Sequence, residues 1–255
     1  MRRRFMSTEN KFSIENYLTV HALEDGLEVT ISATTEYCVD GGPWVKLLAT
    51  RPSPTISTGQ YISFRANFDK YSFSVNIITI NKYCELLGNC NSLVYGDNAS
   101  ISSKLSVGTA LRYLFKGCDK IVSVAPNFLP SMILEENCYQ GMFEDCTSLT
   151  TAPELPATTL AQKCYYGMFS GCSSLTTAPV LPATTLASGC YNFMFQRCSK
   201  LNYIKAMFTT TPSDSYTNFW VQYVASTGTF VKNKNATWNV TGIYGIPYGW
   251  TILKE

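Results

Sequence analysis

Cys164-Tyr165-Tyr166-Gly167-Met168-Phe169-Ser170-Gly171-Cys172-Ser173-Ser174-Leu175-Thr176-Thr177-Ala178-Pro179-Val180-Leu181-Pro182-Ala183-Thr184-Thr185-Leu186-Ala187 is one copy of a phrase that recurs at a stride of 26 residues. Cys138, Cys164 and Cys190 fall in register, as do Met142, Met168 and Met194, Phe143, Phe169 and Phe195, and Cys146, Cys172 and Cys198. A fixed period of this length marks coils that cannot bury their apolar faces alone and become stable by stacking on neighbours. The twelve residues just named are therefore expected as interior columns of a short solenoid.

Within a unit, Leu160-Ala161, Cys164-Tyr165 and Met168-Phe169 are spaced at three and four, as on one face of a short helix that Thr158 or Thr159 would cap. Ser174 to Pro179 is rich in Thr and broken by Pro, which allows only a very short strand. One short helix and one short strand per coil are expected. Upstream, Leu114-Phe115-Lys116-Gly117-Cys118 aligns with Met142-Phe143-Glu144-Asp145-Cys146 at 28 residues, and Gly88-Asn89-Cys90 echoes Ser170-Gly171-Cys172. Met207-Phe208 replaces the Leu-Pro corner downstream, so the solenoid is expected over residues 80–208.

Residues 13–79 have another rhythm. Leu27, Val29, Ile31 and Ala33 alternate with polar partners, as do Phe73, Val75 and Ile77, and Asp40-Gly41-Gly42 is a turn between Tyr37 and Trp44. Antiparallel strands in a sandwich-like domain are expected there. Residues 209–255, with Phe230-Val231, Trp238-Asn239-Val240 and Trp250-Thr251-Ile252, read as a β cap. The fold class expected is thus α+β.

Twenty basic against eighteen acidic residues leave a charge of +2, too balanced to predict nucleic-acid binding. No run of about 18 apolar residues is present to span a bilayer, so no membrane insertion is expected. Most of the ten cysteines recur with the repeat, which favours small buried thiols over disulfides. Five residues separate Cys84 from Cys90 and seven separate Cys138 from Cys146, unlike the paired ligands of a structural zinc site. Neither a metal nor another cofactor is expected. Residues 1–12 form a basic arm in which Arg2, Arg3, Arg4 and Phe5 either stay disordered or anchor on a partner; no apolar segment follows them as an export signal would require. Reduced thiols point to folding in a cytoplasm.

His21 is the only histidine and sits in an alternating strand pattern. Where one copy has the carboxylates Glu135-Glu136 and Glu144-Asp145, the next has Ala161-Gln162 and Ser170-Gly171 at the equivalent positions, as variable solvent positions do. With no phosphate-binding loop and no dinucleotide fingerprint, the chain is expected to be non-enzymatic. Its candidate binding surface comprises Tyr139, Tyr165 and Tyr191, with Tyr166, Gln140, Glu144, Gln196 and Arg197 beside them. The recurring tyrosines either cover the core with their hydroxyls in water or form an aromatic row that stacks on sugars or a partner.

The phrase at residues 168–175, with Leu181-Pro182 after it, resembles the BspA-type leucine-rich repeat, and Leu181-Pro182-Ala183-Thr184-Thr185-Leu186-Ala187 resembles the variant found in gut Bacteroides and their phages. The resemblance covers residues 80–255 and implies a leucine-rich-repeat solenoid. Cell-surface members of that family resemble adhesins and carry signal peptides; with no such signal read here, elimination leads instead to the expectation of a virion structural or adhesive protein, a head or tail appendage subunit assembled in the host cytoplasm. Its expected partners are other virion proteins or copies of itself, and a cell-surface glycan or protein. The alternative it implies is a bacterial cell-surface adhesin or scaffold.

Overall fold

A computed structural model of the chain describes residues 12–67, 77–101, 105, 109 and 111–255. Its most regular region is built from tight turns. In residues 137–146, Gln140, Met142, Glu144 and Cys146 donate their N–H groups to the carbonyls three residues back, at 3.1–3.3 Å. The alternate residues Asn137, Tyr139, Gly141, Phe143 and Asp145 instead donate outward, to the carbonyls of Gln162, Cys164, Tyr166, Met168 and Ser170 at 2.7–3.0 Å. The next copy repeats the scheme: Tyr165, Gly167, Phe169 and Gly171 donate to Cys190, Asn192, Met194 and Gln196. Overlapping turns thus form a layer, and every second N–H ties it to the layer after.

This arrangement corrects the expected fold class. Every fourth residue is left-handed: Asn137, Gly141 and Asp145 in one layer (φ 58, 58 and 60), then Lys163, Gly167 and Gly171 (φ 51, 60 and 79). An α-helix cannot pass through such residues, because it needs right-handed φ and bonds four residues back throughout. The spacing Cys138, Met142, Cys146 suits a helix face and this four-residue turn rhythm equally, and the turns prevail. The α-helices among the described residues are Ser92–Tyr95 (α1) and Asp214–Thr217 (α2). The one strand per coil is not kept in the middle layers either. There the extended segments meet at single bridges such as Ser123–Thr151 and Thr177–Tyr203, since Pro153 and Pro179 follow at once and have no N–H to continue a ladder. The leucine-rich-repeat solenoid of one helix and one strand per coil is not formed; small open sheets and turn layers stand in its place.

Side chains nevertheless align between layers. Phe115, Phe143, Phe169 and Phe195 are fully buried and parallel within 3–5°, with ring centroids 5.5–5.9 Å apart. That offset stacking adds about 0.5–1.5 kcal/mol per pair to the area buried. Met142, Met168 and Met194, and Cys138, Cys164 and Cys190, are equally inaccessible. The thiols of Cys146, Cys172 and Cys198 donate to the carbonyls of Phe115, Phe143 and Phe169, one layer back, at 3.2, 3.1 and 3.0 Å. Cysteine therefore fills the corner and partners a buried acceptor at once. All ten cysteines are free and buried. Burial pushes the thiols of Cys138 and Cys190 up to about 12, so they stay protonated and unreactive.

The N-terminal half is antiparallel. Strands Leu18–Ala22 (β1), Thr35–Val39 (β3), Val45–Leu47 (β4), Tyr61–Arg65 (β5), Cys84–Leu87 (β7) and Ile121–Val124 (β8) form one sheet in the order β4-β3-β5-β1-β7-β8, parallel only between β7 and β8. Val29–Ile31 (β2) pairs with Ile78–Ile80 (β6) in a separate ribbon. Asp40 and Gly41, both at positive φ, make the turn after β3. The expected sandwich is replaced by an open sheet that runs on past residue 80, while Phe73 and Val75 lie outside the described residues. At the other end Tyr203–Ala206 (β9), Thr229–Lys232 (β10) and Thr251–Lys254 (β11) form a parallel sheet, ordered β11-β10-β9. Trp238 is not in a strand. It stacks on Phe208 at 5.2 Å and donates its Nε1 to the Phe208 carbonyl at 3.2 Å. One buried apolar cluster runs from Leu18 to Trp250.

Candidate binding groove on the turn face

Tyr113, Gly141, Gly167, Phe193 and Phe219 occupy equivalent places in successive layers, all left-handed with φ 55, 58, 60, 60 and 52. A side chain leaving this conformation leans over the layer that follows. Tyr113 occupies the space a Gly141 Cβ would need, as Asp145 does over Gly171, and Lys163 comes within 3.0 Å of a Cβ on Gly189. Gly141 has no side chain to lean, and nothing lies within 4 Å of where a Gly167 Cβ would stand. Two successive glycines thus leave one vacancy in an otherwise aromatic column.

The vacancy is a groove of about 220 Å³. Tyr113 closes one end, steadied by a hydrogen bond from Gln140 Nε2 to its Oη at 3.0 Å and by the guanidinium of Arg112, 4.8 Å from the ring centre. Phe193 closes the other, held between Phe219 at 5.7 Å and Tyr166 at 5.2 Å. Along the rim Lys116 Nζ meets Glu144 Oε2 at 3.0 Å, and Ser170 and Gln196 add a hydroxyl and an amide. Gln196 donates to Gln222 Oε1 at 2.7 Å, which fixes its amide. Burial first, then the charges of Tyr113 and Glu144, push the Tyr166 hydroxyl above its ordinary value. These groups converge on one small space.

The expected surface residues divide. Glu144, Tyr166 and Gln196 line this groove, while Gln140 is buried and holds Tyr113 without lining it. Arg197 is exposed one left-handed position further along, in the place held by Asp145 and Gly171 in other layers. Tyr139, Tyr165 and Tyr191 are corrected: at most 1% exposed, they stack on one another at 5.9 and 6.0 Å inside the molecule and cannot meet a ligand. The hydroxyl of Tyr191 has no hydrogen-bond partner among the described residues, so it is not turned to water as a surface tyrosine's would be. Arg2, Arg3, Arg4 and Phe5 lie outside the described residues. Reading the sequence for recurring aromatics missed Tyr113, Lys116, Gly167, Ser170 and Phe193. The 28-residue alignment held the signal, since it sets Tyr113 on Gly141, and the 26-residue stride then leads to Gly167 and Phe193.

Elsewhere, His21 Nδ1 lies 3.0 Å from Glu85 Oε2, and Ser123 Oγ donates to Glu85 Oε1 at 2.9 Å. The carboxylate sits between the two, so the hydroxyl reaches no imidazole base and the trio lacks the order of a nucleophile relay. The hydrogen bond from His21, then that from Ser123, hold Glu85 below the usual carboxylate range. Among the described residues no three His, Cys, Asp or Glu side chains converge to hold a metal ion, and no helix is long and apolar enough to cross a membrane.

No family model matches the chain, and no curated protein or solved structure shows a significant similarity to it.

Proposed function

We propose that this chain is a non-enzymatic contact protein, a structural or adhesive subunit of a head or tail appendage in a phage infecting Bacteroides-like hosts. Its layered turn face would meet protein or glycan. The observation that carries the contact reading is the groove over Gly167, where aromatic walls and a polar rim stand on a backbone tied layer to layer by hydrogen bonds. Contact is favoured over hydrolysis because Glu144 is the one carboxylate lining the groove and is already paired with Lys116; a glycosidase of the usual kind needs two. The phage setting rests on the resemblance of the Leu181–Ala187 phrase.

Mass spectrometry of purified virions beside the host envelope fraction tests the setting. The chain is expected among virion proteins; recovery from the envelope alone would turn the reading to a cell-surface adhesin. Release of reducing ends from host polysaccharide by the purified protein would overturn the non-enzymatic reading.

A further inference from the structure

We infer that the slot over Gly167 is a binding site for a single neutral pyranose ring, presented as a terminal or branch sugar of a glycan. The inference rests on the contact reading above and names its ligand class. A pyranose has two apolar C–H faces and an equatorial rim of hydroxyls. The slot offers matching groups: the aromatic rings of Tyr113 and Phe193 line its ends, and Glu144, Ser170 and Gln196 bring donors and acceptors to its edge. At about 220 Å³ it lies below the roughly 300–1,000 Å³ of sites for drug-sized ligands, which suits one ring.

Charge selects within the sugars. Lys116 and Glu144 neutralise each other at 3.0 Å, so the rim offers no net charge to an acidic or amino sugar. It also argues against an aromatic side chain from a protein partner. Such a side chain would fill the volume but shut the Glu144 carboxylate and the Ser170 hydroxyl away from water without replacing their hydrogen bonds, a cost that hydroxyls avoid. The site is preorganised as well. Gln140 holds Tyr113, Gln222 holds Gln196, and Phe219 with Tyr166 braces Phe193, so little side-chain freedom is lost on binding.

Saturation-transfer difference NMR on the whole chain, with methyl β-D-glucopyranoside, methyl β-D-galactopyranoside and methyl α-D-mannopyranoside as separate probes, tests the assignment. At least one is expected to show transfer to its ring C–H protons with a Kd of about 1–10 mM, the range open to so small a ligand. Gly167→Phe extends the aromatic column into the slot and should abolish the signal. The variant is built to fold, because Phe193 and Phe219 already hold that conformation at φ 60 and 52. Phe193→Ala serves as a second variant and should weaken binding by about tenfold. Tyr223→Ala, at an exposed position outside the slot, should bind as the unaltered protein does.

Absence of transfer from all three probes overturns the assignment, as does unchanged binding in a folded Gly167→Phe chain. Saturation of the slot by N-acetyl-tryptophanamide in preference to every pyranoside also overturns it, in favour of a protein side chain. None of these outcomes alters where the chain is found. Failure here with the protein still present in virions removes the sugar and leaves the contact reading standing.

Discussion

The antiparallel ribbon of β2 and β6 in the N-terminal half and the turn layers of residues 113–223 bury similar side chains by different periods. In β2 and β6 exposure alternates, with Val29, Ile31, Ile78 and Ile80 inside and Thr30 and Thr79 turned outward. In the layers the inside positions come in pairs every four residues, Cys138-Tyr139 and Met142-Phe143, and a left-handed residue separates each pair from the next. A period of two has one structural meaning, because successive strand side chains point to opposite faces. A period near four has two, and only the backbone φ separates helix from turn.

The largest test of this contrast is Phe169→Ala, which removes the middle ring of a column stacked on both sides. It should cost about 3–5 kcal/mol in denaturant unfolding. Because one apolar cluster joins the regions, signals from Trp44 and Trp220 should lose structure at a single lowered midpoint. Two separate midpoints would break the comparison into two independent bodies.

Gly88→Ala comes next. This residue, just past β7, has φ +76, and its absent Cβ faces the backbone carbonyls of Tyr17 and Ile14, which cannot rotate away. A loss of about 3 kcal/mol is expected from thermal unfolding. Within the layers the two glycines of the vacant column should differ. Gly141→Ala meets the Tyr113 ring as well as a strained φ and should cost about 2 kcal/mol, whereas Gly167→Ala meets only the φ and should cost about 1 kcal/mol. Equal losses would mean that Tyr113 yields freely and does not wall the groove.

The smallest effect concerns acid. Glu85 titrates lower in the folded chain than in the unfolded one, so its contribution is intact above the ordinary carboxyl value of 4.5 and is lost as pH falls below it. Glu85→Gln should flatten the pH dependence of the melting temperature in that window and leave the groove unaffected. A profile that stays as steep would deny the carboxylate between His21 and Ser123 its role in joining β1, β7 and β8.

Much of the core could be read before the fold. The 26-residue register named Cys138, Met142, Phe143 and Cys146 and their copies, and all are buried. Of the groove, Glu144, Tyr166 and Gln196 came from variable positions, as did Gln140 that holds Tyr113, but its floor and both walls did not. Glycine repeated at 141 and 167 reads as unremarkable punctuation until the residues above and below it are stacked in place. Tyr139 misled for the opposite reason: a tyrosine recurring once per layer looks like a surface row, yet its stride places it behind the layer.

Sequence alone settled which residues are equivalent, because identical spacing forces identical surroundings in any stacked arrangement. It could not settle what each layer is made of, since apolar residues four apart serve a helix and a chain of turns alike. Tertiary structure made that choice through hydrogen bonding. Once every second N–H points to the neighbouring layer, the bonds of a helix are no longer available, and the left-handed residues this requires direct Tyr113 and Phe193 to either side of an empty Gly167.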